Sequence, residues 1–396
     1  MKPIERPSPV GGPYLTRSLL LLLALAAVAG VLIVRRFALG LGATTAMNDG
    51  YAWGLWIAFD VVTGTAFGCG GFAMALLVYV VNKGEYHPLV RPAILTSALG
   101  YSIAGLSVLL DLGRPWLAWK IPFFVGNWNL HSPLLEVALC IMAYSVVQWI
   151  ELSPAFLETA KTSRWPWLQR LGATWLPRVK SVLLLVIALG MVLPTMHQSS
   201  LGALLMLSGP RLHPLWNTIL LPLLFLVSCI AMGFGAVVLE TTLSSRYLGR
   251  TPHTEMMAGL GQAMIPVLGG YLFVRLVDYL QRGQLGALLA LDLYSMLSLL
   301  ELGLFAASLA ILWRPANRLS PRMLFRAAML CMLGGSLYRL DVFLVAFQPG
   351  SHWSYFPGVS EILISVGLVA GEIAAYVLLV KTFPILAGRT VAATAH

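Results

Sequence analysis

The sequence predicts an all-α integral membrane protein of about ten transmembrane helices. Of its 396 residues, 58% are hydrophobic and only 11% charged, whereas a soluble domain is about a quarter charged. Mean hydropathy is +0.82. Apolar runs of about 20 residues, long enough to cross the bilayer core as a helix, recur along the whole chain. Period-2 alternation is missing, which argues against an outer-membrane barrel. The net charge of +10 does not call for nucleic acid, because basic residues of membrane proteins collect in cytoplasmic loops.

The first 16 residues hold four prolines and no apolar period, so residues 1–17 are expected to be a disordered cytoplasmic tail. Span one covers 18–37. Its apolar run from Ser18 to Val34 has 17 residues and stops at Arg35-Arg36, which reads as a retained signal anchor rather than a cleaved signal. Span two covers 52–81 and carries Gly64, Gly68, Gly70 and Gly71, read first as close helix packing. Span three covers 92–111. The connection after it, 112–130, holds Trp116, Trp119, Phe123, Phe124 and Trp128, and fits equally an interfacial aromatic belt or a docking surface. Span four covers 132–151. Span five, 179–199, has Pro194 four residues after Gly190, which predicts a kink just before His197. The remaining spans are 215–244, 258–280, 287–313, 323–347 and 359–384. The membrane domain thus runs 18–385, and 386–396 form a second tail.

With the N-terminus inside, 18 of the 26 Lys and Arg fall in inner segments and 8 in outer ones, so the positive-inside rule sets both termini in the cytoplasm. The largest inner connection, 152–178, is too short for a soluble catalytic domain, so the chain has no complete catalytic site of its own.

Asp60, Glu136, Glu240, Glu301, Glu372 and His197 lie inside apolar runs. An ionisable group at bilayer depth is costly unless paired, hydrated or neutral, and is a functional candidate by default. Asp60, Glu136, His197 and the pair Asp111/Arg114 share the outer half of spans two to five, which predicts a polar pocket there. Tyr101, Arg91, His87 and Glu240 lie deeper or inward and could continue a hydrogen-bonded path. Arg91, Tyr101 and Asp111 are spaced ten apart, near three turns, and so share one helix face. Glu301 and Glu372 form a separate site or pair with Arg275 or Arg339, and Arg339 with Asp341 reads as an outer-leaflet salt bridge. Cys69, Cys140, Cys229 and Cys331 are ungrouped and read as small buried hydrophobes, not metal ligands. A b-type haem needs two histidines at matched depth, for which only His131 and His197 come into question. No haem is expected on this chain. A pocket of carboxyls and a histidine suits a quinone, whose oxygens need such groups within hydrogen-bond reach. A haem-bearing cytochrome and a proton-coupled transporter stay open as alternatives.

Trp53-Gly-Leu-Trp-Ile-Ala-Phe-Asp60 and Tyr86-His-Pro-Leu-Val-Arg91-Pro resemble motifs of the polysulfide-reductase/nitrite-reductase family of integral membrane subunits. Leu193-Pro-Thr-Met-His197-Gln-Ser-Ser, His213-Pro-Leu-Trp216 and Glu361-Ile-Leu-Ile-Ser bring the likeness nearest to the branch that serves hydrogenase-2-type [NiFe] hydrogenases. The resemblance runs from about residue 30 to 385. It implies a haem-free, quinone-reactive subunit of the bacterial inner membrane that uses menaquinone or ubiquinone in anaerobic respiration. It implies as partners a periplasmic iron–sulfur subunit and the hydrogenase large and small subunits, with coupling to proton translocation. It matches Asp60, Arg91, Tyr101, Glu136, His197 and Glu240 to the family's functional polar positions. With their depth, this gives Asp60, Glu136 and His197 quinone binding and protonation and Tyr101, Arg91 and Glu240 a proton path, while depth alone sets Asp111 and Arg114 at the same pocket.

Overall fold

The computed structural model describes residues 7–250 and 252–387. Among these, ten helices are long and apolar enough to cross a membrane. They are α1 Arg17–Leu39, α2 Trp56–Val80, α3 Gly84–Asp111, α4 Pro133–Lys161, α5 Pro166–Met206, α6 Leu221–Leu248, α7 Thr254–Gln281, α8 Leu293–Trp313, α9 Pro321–Val345 and α10 Val359–Thr382. The described residues contain no strand, only isolated bridge positions such as Leu212 with Phe347.

The helix ends follow local chemistry. Thr16 Oγ1 accepts from Leu19 N at 3.2 Å and starts α1; Ser132 does the same for α4, with Pro133 at the first helical position. Asp292 accepts from Ser295 N at 2.7 Å and starts α8, as side-chain caps do. Gly249, at φ 63°, ends α6 in the left-handed conformation that glycine adopts without strain.

Two helices exceed their predicted spans the most, while α3 starts eight residues early, at Gly84. The expected 152–178 connection is almost wholly helical: α4 continues to Lys161, and α5 begins at Pro166 and has 41 residues. At helical rise it is about 62 Å long, twice the hydrocarbon thickness. Loss of hydropathy near Ser153 does not end the helix, because hydropathy reports the fit to lipid and not the backbone's hydrogen bonding. α2 is irregular in a way no hydropathy pattern encodes. Its first part, Trp56–Thr63, is π-helical and carries Asp60; α9 ends in a similar turn, Asp341–Val345. Such wide turns recur at functional sites.

α4 packs along α5, α8 against α9, and α1 against α10. Glycines let α2, α3 and α6 approach closely. A Cβ on Gly233 of α6 would meet the Cys69 carbonyl of α2 at 2.5 Å, and Gly71 N donates to Ser97 Oγ at 2.9 Å. Small residues serve this purpose in membrane bundles. Arg36, expected in an outer loop, is buried and donates to the Leu110 and Leu112 carbonyls at 2.7 and 2.6 Å, tying α1 to the end of α3.

The tail expected to be disordered is ordered from residue 8. Ser8 N donates to Leu386 O, Val10 N to Val380 O and Gly11 N to Lys381 O, at 3.0–3.1 Å. Lys381 Nζ donates to the Pro13 carbonyl. The polar backbone of this stretch finds its partners at the end of α10, which a composition argument does not foresee. Residues 1–6 and 388–396 of the two expected tails lie outside the described residues. The two ends meet, so an even number of crossings leaves both on one side of the membrane.

Candidate functional site

One large cavity, about 1090 Å³, lies between α1, α2, α3, α6, α9 and α10. Its wall is mainly apolar, and Asp60, Glu240 and Glu372 are the carboxyls on it. α10 orders them by depth. Ser365, Glu372 and Tyr376 sit at i, i+7 and i+11 and so share one face. Ser365 Oγ donates to Asp60 Oδ2 at 2.7 Å near the start of α10. Glu372 lies about 10 Å further along the axis, and Tyr376 about 6 Å beyond that. The Tyr376 hydroxyl donates to Glu240 Oε1, which also accepts from Ser244 Oγ at 2.9 Å. The far end is walled by Lys381 and by Val10, Gly11 and Gly12 of the N-terminal segment.

Asp60 and Glu240, expected in separate places, are therefore brought together on one cavity. The pocket expected from spans two to five is not what borders it. Glu136 is half-buried in the first turn of α4, away from the cavity. His197 is fully buried in a different, tightly packed cluster. Its Nε2 is 3.1 Å from Thr65 Oγ1, to which Gln198 Nε2 donates at 3.0 Å. Arg339 donates to Gln198 Oε1 at 3.2 Å and to Ser228 Oγ at 3.1 Å. Tyr101 stands edge-on to the His197 ring at 5.5 Å and to Tyr144 at 4.5 Å. Tyr101 Oη and His197 Nδ1 are buried without a hydrogen-bond partner among the described groups.

The other expected residues are held structurally. Arg91 binds Glu158 of α4 through both guanidinium nitrogens at 3.1 Å and the Pro384 carbonyl at 3.0 Å. Asp111 accepts from Gly54 N at 3.3 Å; Arg114 is exposed, and the two make no ion pair among the described residues. Glu301 pairs with Arg275 at 3.3 Å and accepts from Tyr271 at 2.6 Å, all three buried. Arg339 and Asp341 do not pair, contrary to expectation: Arg339 turns inward to Gln198, Ser228 and the Phe225 carbonyl. The four cysteines are buried.

Glu372, Tyr376, Ser365 and Ser244 were not assigned roles by sequence reasoning. The i, i+7, i+11 spacing of Ser365, Glu372 and Tyr376 in span ten is the signal that would have found three of them. Glu361 was missed as a positioning residue. It accepts from Ala46 N and Gly358 N, each at 2.8 Å, and from Tyr355 at 2.6 Å, while Leu55 N donates to the same Tyr355 oxygen at 2.7 Å. Burial, then the facing Glu361 carboxylate, pushes the Tyr355 hydroxyl well above its ordinary range. This knot fixes the start of α2 and hence Asp60.

The polysulphide reductase NrfD family profile matches residues 43–348. The chain is 40% identical over 388 residues to the probable Ni/Fe-hydrogenase 2 b-type cytochrome subunit of Escherichia coli K12, covering 96% of this chain and 95% of that one. It is 30% identical over 360 residues to the menaquinone reductase integral membrane subunit of Nitratidesulfovibrio vulgaris Hildenborough, covering 85% and 83%. Protein NrfD of E. coli K12 is 28% identical over 218 residues. Ten apolar helices and these relatives make the chain a multi-pass protein of the inner membrane.

The expectation of a chain without haem is corrected by the E. coli relative, whose name is that of a b-type cytochrome subunit. The histidine pair weighed for such a group does not fit it: His131 is exposed ahead of α4, His197 is enclosed by Thr65 and Tyr101, and neither borders the cavity.

Proposed function

The chain belongs to the polysulphide reductase NrfD family, and on that premise we propose that it is the quinone-reactive membrane subunit of a respiratory [NiFe] hydrogenase complex. It passes electrons between a periplasmic iron–sulfur subunit and menaquinone or ubiquinone. The relatives named for hydrogenase 2 and for menaquinone reduction support this reading.

The single observation that carries it is the cavity. Its mainly apolar wall suits a lipid-soluble ring and tail, and three carboxyls stand at successive depths inside it. Reducing a quinone takes two protons as well as two electrons, and the protons must reach its oxygens from a group within hydrogen-bond distance. Asp60, held by Ser365 near the outer end, is the group against which the ring would stop. Glu240 with Tyr376, and then Glu372, would bring protons from the side that carries the termini. The exposed Trp116, Trp119 and Phe123 of the outer connection suit docking of the iron–sulfur partner. This reading assigns the quinone to the cavity with Asp60 and gives Glu136 no place beside it.

The test is hydrogen-dependent quinone reduction by membranes holding the complex, read beside hydrogen-dependent dye reduction. Asp60→Asn and Glu372→Gln are expected to lose quinone reduction and keep dye reduction. Normal quinone reduction in both would overturn the cavity assignment. Selective loss in Glu136→Gln instead would return the quinone to the mouth of α4.

A further inference from the structure

Glu240 faces two spaces. Besides the large cavity it borders a small chamber of about 20 Å³, lined by Thr241, Ser244, Arg250, His253, Pro88 and Leu386 among others. That is enough for one water, which requires roughly 10–15 Å³ and two to four polar partners. The lining supplies them. Thr241, 7% exposed, has its Oγ1 buried without a hydrogen-bond partner among the described groups. Ser244 Oγ already donates to Glu240.

The chamber lies on the side of the two chain ends. Arg250, which walls it, donates to Ser8 Oγ and O at 3.1 and 2.5 Å. The N-terminal segment that Ser8 begins borders the large cavity along Val10–Gly12. This segment thus forms part of the large cavity's wall, while the chamber has His253 in its own. His253 stands just before the first turn of α7 and is partly exposed.

We propose that the chamber holds a structural water joining His253 to Glu240, and that His253 is the group that loads protons into the cavity. The inference rests on the reading of Glu240 as a proton carrier. A His253 imidazolium gives its ring proton to the water, and the water gives one of its own to the Glu240 carboxylate. The neutral imidazole then regains a proton from solvent; when quinol is oxidised the same steps run in reverse and His253 passes the protons out to solvent. Thr241 positions the water through its otherwise unused hydroxyl.

The experiment uses the intact complex in proteoliposomes and measures quinol-driven hydrogen evolution, with hydrogen-to-dye activity as the control for assembly. His253→Ala is expected to slow evolution by about a hundredfold, the lower end for loss of a proton-transfer group. Millimolar imidazole is expected to restore it, dye activity being unchanged throughout. Thr241→Val is expected to slow evolution without imidazole rescue. Wild-type rates in His253→Ala beside an impaired Glu240→Gln overturn the chamber as the route. So does a loss in His253→Ala that imidazole does not repair, because His253 then serves only the start of α7. Normal evolution in Glu240→Gln overturns the proton-carrier reading itself, and the chamber with it.

Discussion

Two buried arginines show how this chain handles charge in lipid. Arg275 and Glu301 are each 0% exposed and meet at 3.3 Å, with Tyr271 completing the carboxylate. Arg339 is equally buried but makes no ion pair among the described residues; Gln198, Ser228, the Phe225 carbonyl and the Phe225 ring take its charge. Removing one partner of a buried pair leaves the other uncompensated, which costs about 3–5 kcal/mol, whereas replacing both with apolar groups of similar size is often near neutral. Arg275→Met alone should therefore lower the thermal unfolding temperature of the detergent-purified chain markedly. Arg275→Met with Glu301→Leu should recover most of it. A double variant as unstable as the single would show that the pair holds α7 to α8 by more than charge.

At the scale of the element, existence was legible and shape was not. All ten spans follow from hydropathy, because each must cover about 30 Å of hydrocarbon. The long hairpin of α4 and α5 was cut short, since a helix paired with a neighbour need not end where lipid ends. The π-helical turns at Asp60 and Asp341 were invisible, because a widened turn changes backbone hydrogen bonds without changing composition. Half of the candidate site was legible for the same reason: depth picked out Asp60 and Glu240, but only packing shows that α10, not α4 or α5, completes the cavity with Glu372. The glycines of α2 and α6 make this packing testable. Gly233→Val places a side chain against the Cys69 carbonyl, and overpacking of this kind typically costs about 1–3 kcal/mol. Gly30 of α1 has nothing within 4 Å of a Cβ, so Gly30→Val should be tolerated. Thermal stability in detergent separates the two; equal stability would mean that α2 and α6 can part at no cost.

The whole molecule is oriented by its charges, and the fold sharpens that argument. Of the eight basic residues assigned to outer segments, Arg36, Arg275 and Arg339 are buried in protein and face no aqueous phase. The excess on the other side stands, and it includes the turn between α4 and α5, with Lys161 and Arg164 exposed. By the positive-inside rule that turn and both chain ends are expected to face the cytoplasm, and the aromatic connection before α4 the periplasm. The native cysteines are all buried, so an added exposed one reports its own side. Thr162→Cys in the turn should react with a membrane-impermeant maleimide only in inverted vesicles. Gly126→Cys in the aromatic connection should react only in right-side-out spheroplasts. The two positions flank α4, so they must label from opposite sides whatever the orientation, which gives the experiment an internal check. Labelling of Thr162→Cys from the periplasm would invert the molecule. An electron-donating partner on the aromatic face would then sit in the cytoplasm, and the protons entering past His253 would come from outside the cell.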